Sequence, residues 1–172
     1  MQSKVLSVLV ENHVGVLARV SSLFCQRGFN IDSLTVSATD NPEVSRITVT
    51  THGDEQTLRQ IIRQTEKLVE TRSVMELEPA CSLLRELLLV KVAADKDNRR
   101  ELHDIAEIYR AKTIDLSVDS MIFELTGDPD KIDGFLRVLA PYQILEMCRT
   151  GVTALSRGSV ACDTQSPAKF TI

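Results

Sequence analysis

Residues 4–20, KVLSVLVENHVGVLARV, change period halfway. Lys4 to Val10 alternates and is β-branched, which predicts a strand. Val16, Leu17, Val20, Leu23 and Phe24 then fall on one helical face. Between strand and helix lie Asn12, His13, Val14 and Gly15, with neither GxGxxG nor GxxxxGK[ST] spelled out, so a nucleotide phosphate does not fit this loop. A helix start leaves unpaired N–H groups and a partial positive charge, where a carboxylate docks. Glycine lets a ligand approach the backbone, and flanking valines suit a short apolar side chain. The loop therefore fits an amino acid. It equally fits a plain strand–helix turn capped by Asn12, and both readings stand at this point.

Working outward, Arg27 and Gly28 close the first helix with a glycine suited to a left-handed C-cap. Ile31 to Thr39 predicts a second strand, Asp40-Asn41-Pro42 a turn, and Ser45 to His52 a third strand. Gly53-Asp54 opens a second helix with Asp54 as N-cap and Leu58, Ile61, Ile62 and Thr65 facing inward. Val69 to Leu77 is a fourth strand, stopped before Pro79. The order βαββαβ then recurs. Leu87 to Ala93 is a strand; Leu102, Ile105, Ala106 and Tyr109 mark a helix. Thr113 to Ser117 and Met121 to Thr126 are paired strands. Gly127-Asp128-Pro129 opens a helix carrying Ile132, Phe135, Leu136 and Leu139, and Ile144 to Arg149 closes as a strand.

The fold class expected is thus α+β, two tandem ferredoxin-like βαββαβ sandwiches. Domain 1 covers residues 1–78, a linker 79–86, and domain 2 residues 87–158; residues 159–172 read as a disordered tail. At about 75 residues each, the halves are near the lower limit for a free-standing core, which favours docking of the halves or pairing between chains. The halves differ where it matters: the second has ADKDNRREL, residues 94–102, in place of the first loop's glycine.

Composition narrows function. The 172 residues are 43% hydrophobic and 26% charged, with net charge −4, which fits a globular protein and disfavours a nucleic-acid binder acting on phosphates. No run approaches a membrane span, and the N-terminus lacks the layout of a signal or transit peptide, so a cytoplasmic location is expected. Cys25, Cys81, Cys148 and Cys162 have no metal-ligand spacing and read as reduced thiols. His13, His52 and His103 are scattered, and no catalytic set is found. An RNA-recognition sheet needs aromatics that SRITVTTH lacks, and an acylphosphatase needs a basic cradle where Glu11 stands. Asn30, in RGFNIDSLTV, serves either as a turn residue or as a ligand contact, since its amide both accepts and donates.

ENHVGVLARV (11–20), RGFNIDSLTV (27–36) and SRITVTTHGD (45–54) resemble the small regulatory subunit of acetohydroxyacid synthase (acetolactate synthase). KTIDLSVDSMIFELTGDPDKIDGF (112–135) and ILEMCRTGVTALSRG (144–158) extend the resemblance over roughly residues 3 to 158. The resemblance implies that the N-terminal half is an ACT domain pairing with a second copy edge to edge. It implies a branched-chain amino acid, usually valine, at that interface. The site would hold Asn12, His13, Val14, Gly15, Val16 and Leu17 of one chain, and Asn30 and Ile31 of the other. It implies no chemistry and no cofactor in this chain: thiamine diphosphate, FAD and Mg²⁺ would belong to a separate catalytic (large) subunit, which this chain activates and makes sensitive to feedback inhibition. A stand-alone ACT-domain amino-acid sensor, regulating another enzyme, is the alternative.

Overall fold

A computed structural model describes residues 2–158 and divides the chain into two compact units. Among the described residues, the first unit holds everything through Leu83 and Val152 onward; the second holds Leu84–Gly151. The expected tail, 159–172, lies outside the described residues.

The first unit runs β1 (Gln2–Glu11), α1 (Val16–Gln26), β2 (Ser33–Ala38), β3 (Val44–Gly53), α2 (Glu55–Thr65) and β4 (Thr71–Glu76). Its sheet is antiparallel in the order β2-β3-β1-β4, leaving β2 and β4 at the edges. Alternation decides which side is buried. Leu6, Val8 and Val10 of β1 and Ile47 and Val49 of β3 pack on Val16, Val20 and Phe24 of α1 and on Leu58 and Ile61 of α2. Gly28 sits at φ 69° and ends α1 as its sequence predicts: Phe29 N–H donates back to Phe24 O at 3.0 Å. Asp54 caps α2, its side chain accepting from Thr57 N–H at 2.7 Å.

The second unit repeats this order. After a single 3-10 turn at Pro79–Cys81 come β5 (Ser82–Ala93), α3 (Arg99–Tyr109), β6 (Lys112–Leu116), β7 (Ser120–Gly127), α4 (Pro129–Leu139) and β8 (Ile144–Arg149). The strand order β6-β7-β5-β8 matches that of the first sheet position by position. Phe123 and Phe135 meet edge to face at 6.2 Å in its core, and Asp128 caps α4 through Lys131 N–H.

Besides β2, which starts at Ser33 and not at the expected Ile31, three boundaries differ from the sequence reading. β5 starts at Ser82, so residues 82–86 of the expected linker are strand. Apolar alternation hides this start, because Glu86 is buried while Leu83 is 39% exposed. Glu86 is tolerated there because Arg149, on β8, donates Nε–H to it at 2.6 Å and also bonds Asp133 at 2.7 Å. Second, β4 begins at Thr71, because Val69 lies in a turn and is exposed. Third, residues 152–158 rejoin the first unit. Val152 N–H donates to Ser33 Oγ at 3.3 Å, and Thr35 Oγ donates to Val152 O at 2.8 Å. A short strand, β9 (Thr153–Ser156), follows and pairs with β5.

Candidate functional site

Gly15 is the N-cap of α1, at φ 93° and ψ −17°, and offers no side-chain cap to the first turn. A Cβ placed there meets no atom within 4 Å. The helix starts of α2 and α4 differ, because in each an aspartate takes a first-turn N–H. The start of α1 therefore keeps donors, partial positive charge and open space together.

The loop around it is held from below. Glu11 N–H donates to Glu70 O at 2.9 Å and Asn12 N–H to Glu43 O at 2.8 Å. Asn12 Nδ2 donates to Pro42 O at 2.8 Å, so Asn12 braces the loop and does not cap the helix. His13 lies across Glu11 Oε2 and Val14 O, with Nε2 3.1 Å from the first and Nδ1 3.1 Å from the second; a neutral imidazole donates to one of them. The Val14 side chain is 99% exposed and Leu17 42%, two aliphatic groups beside the open helix start. Val16 is buried in the core, so only its main chain faces the loop; its N–H makes a long hydrogen bond, 3.5 Å, to His13 O. Arg19, whose N–H donates to Gly15 O at 3.0 Å, carries its guanidinium on the same turn and pairs with Glu70. Sequence reasoning did not single out Arg19, although its place four residues after Gly15 puts it there.

Asn30 and Ile31 lie elsewhere. Asn30 O accepts from Thr51 Oγ at 2.6 Å, and Asn30 Nδ2 donates to Asp32 Oδ1 at 2.7 Å. Ile31 is half-buried against the first core. Register fixes their height on the sheet: Ser33 pairs with Thr50, and Thr50 pairs with Val5 near the beginning of β1. The loop leaves β1 after Glu11. At about 3.3 Å per residue, Val5 to Glu11 spans about 20 Å. The 11 residues of α1 give the same answer, about 16 Å at 1.5 Å each. Within one chain, then, the structure groups Asn12, His13, Val14, Gly15, Val16 and Leu17 at one end of the sheet. It places Asn30 and Ile31 at the other. No ligand of amino-acid size reaches both.

Elsewhere, a cleft of about 220 Å³ lies on the second unit's sheet between Leu89, Ile114, Ile122 and Cys148, with Lys91 and Glu146 paired at 3.2 Å on its wall. Among the described residues, no group of three or more His, Cys, Asp or Glu side chains is placed to hold a metal, and no helix is long and apolar enough to cross a membrane. Cys25, Cys81 and Cys148 are free thiols.

Comparison with known proteins divides the chain where its repeat does. Residues 6–73 match the model of the AHAS small subunit-like ACT domain, and residues 85–158 match that of the small subunit of acetolactate synthase. A probable acetolactate synthase small subunit of Archaeoglobus fulgidus is 46% identical over 154 residues, 90% of this chain and 96% of that protein. The acetolactate synthase isozyme 3 small subunit of Salmonella typhimurium is 46% identical over 156 residues, with the same coverage of 90% and 96%. The crystal structure of the acetolactate synthase small subunit of Thermotoga maritima superposes with a TM-score of 0.86 at 38% identity, covering 93% of this chain and 100% of that one.

Proposed function

The chain belongs to the family of acetolactate synthase small subunits, and we propose that it is a non-catalytic regulatory subunit whose paired ACT domains bind valine or a related branched-chain amino acid. It acts in the cytoplasm on a catalytic large subunit, raising its activity and making it subject to feedback inhibition. Thiamine diphosphate, FAD and Mg²⁺ are assigned to that partner and none to this chain.

One observation supports this reading above the others: the uncapped start of α1 and Asn30 stand at opposite ends of one sheet, with edge strand β2 adjoining Asn30. A second copy, antiparallel at that edge, brings its own Asn30 and Ile31 toward the first copy's loop. The ligand carboxylate then lies on main-chain N–H groups from Val14 to Val16. Each charge-assisted hydrogen bond contributes roughly 1.5–3 kcal/mol and the helix dipole about 0.3–1 kcal/mol. Val14 and Leu17, exposed in the single chain, cover the isopropyl group together with Ile31 of the second copy.

Valine has only about 8 non-hydrogen atoms, so affinity is in the micromolar to millimolar range. Regulation follows only from a difference in affinity between two arrangements of the assembly, typically about 1–3 kcal/mol. One methylene is worth about 1–3 kcal/mol, so leucine and isoleucine compete with valine.

The test is an assay of the catalytic subunit with and without this chain across a valine titration. Stimulation without valine and a fall with it are expected. A catalytic subunit indifferent to the chain refutes the regulatory role; stimulation that valine leaves untouched refutes the effector. The stand-alone sensor predicts no co-purification with a thiamine-dependent subunit.

A further inference from the structure

We propose that Asp32 makes this site read the ammonium group of its ligand, by fixing which end of the Asn30 amide faces outward. The inference rests on the placement of Asn30 in the effector site given above. Asp32 lies between Ile31 and β2, and its main chain is anchored by N–H donation to Thr50 O at 2.9 Å. Its carboxylate is held on both oxygens. Oδ1 accepts from Asn30 Nδ2 at 2.7 Å, and Oδ2 faces His52 Nδ1, the last-but-one residue of β3. The neighbouring Thr51 hydroxyl holds the Asn30 carbonyl, so the main chain of Asn30 is fixed from the β3 end and its side chain through Asp32.

An ionised carboxylate only accepts. The amide must therefore turn an N–H of its NH₂ toward Asp32, which leaves Oδ1 as its acceptor and one further N–H beside the Asp32 charge. That oxygen is an acceptor backed by a negative charge. It suits an ammonium and repels a carboxylate. Sequence alone leaves Asn30 free to serve either end of an amino acid; the Asp32 contact favours the ammonium, because a carboxylate on the remaining N–H would lie against the Asp32 charge. The ligand's polarity follows: its carboxylate lies at the Gly15 helix start of one chain and its ammonium at Asn30 of the partner subunit. The site then separates an α-amino acid from the 2-hydroxy acid of the same skeleton, which keeps the carboxylate and the isopropyl group but has no ammonium.

Calorimetric titration of the full-length chain with valine and with 2-hydroxy-3-methylbutanoate tests this. Wild type should prefer valine. Asp32→Ala frees the amide to rotate and should cut that preference about tenfold, chiefly through weaker valine binding. Asp32→Asn, whose carbonyl still accepts from Asn30 Nδ2, should keep most of it. Asn30→Ala should lose the same preference, and adding Asp32→Ala to it should change nothing more. Asp32→Ser, too short to reach the amide, serves where Asp32→Ala does not fold.

An unchanged preference in Asp32→Ala overturns the proposal. So does an equal loss in Asp32→Asn, or a further loss in the double variant, since either puts the carboxylate itself on the ammonium. Gly15→Asp separates this failure from that of the site. If it leaves both affinities intact, the site is misplaced. If it removes both while Asp32→Ala keeps the preference, the site stands and Asp32 has no part in it.

Discussion

Replacing Gly15 tests the anion-binding role of the helix start, because alanine and aspartate at this position share one cost and differ in another. At φ 93° any L side chain is strained, by roughly 1–2 kcal/mol, and the open space around the Cβ adds no clash. For a unit of this size each kcal/mol lowers Tm by roughly 4–8 °C. Gly15→Ala carries the strain alone. Gly28→Ala, at φ 69° and equally free of neighbours, carries a similar strain at the far end of α1. It should melt lower in the same way and bind valine normally. Gly15→Asp adds a carboxylate about 5 Å from where the ligand's own rests. Between effective dielectric constants of about 20 and 80, that repulsion is about 1–3 kcal/mol, or roughly fivefold to 150-fold in Kd. The new side chain is also an N-cap, so Gly15→Asp should melt no lower than Gly15→Ala while binding valine more weakly. Titration calorimetry and thermal melts on the three variants give both numbers. Equal valine affinity in Gly15→Ala and Gly15→Asp refutes the carboxylate's place at this helix start.

Asn30→Ala should weaken valine binding with little change in Tm, since the side chain is exposed; an unchanged titration removes Asn30 from the site. Arg149→Ala strips Glu86, 5% exposed, of its partner and should cost roughly 1.5–3 kcal/mol in the second unit, read as a lower Tm with valine affinity kept. Hydrogen bonding from Thr57 holds the Asp54 carboxyl below its ordinary value near 3.8. Its stabilisation is whole above that value and is lost as pH falls through the lower folded one. Asp54→Asn keeps a capping side chain and should flatten part of the fall in Tm between pH 5 and 2; an unaltered slope refutes this.

The sequence is most readable where local chemistry decides the structure. Asp54 and Asp128 each follow a glycine and begin an apolar helical stripe, and each caps its helix as that pattern predicts. Gly28 ends α1 for an equally local reason. Legibility fails where a distant residue supplies the reason. Glu86 inverts the alternation that would have announced β5 at Ser82, and its partner Arg149 lies 63 positions away. Val152 reads as part of the second half, yet Ser33 and Thr35 hold it to the first, across 119 and 117 positions. The site shows both cases. Gly15 is visible as a break in period, and Asn12 reads as a cap only because its contact with Pro42 O, 30 positions on, is invisible. Asp32 reads as one more position of the second strand until His52, 20 positions on, is seen beside it.

The span of β1 between Val5 and Glu11 carries a rule of inheritance for the assembly. On the proposed pairing, a chain whose helix start and Asn30 lie so far apart completes no pocket from its own parts, and each pocket would be half borrowed. Mixing Gly15→Asp chains with Asn30→Ala chains would then give hybrid pairs in which one pocket gathers both lesions and its twin gathers neither. Two chains, each defective among its own kind, would restore one sound site between them.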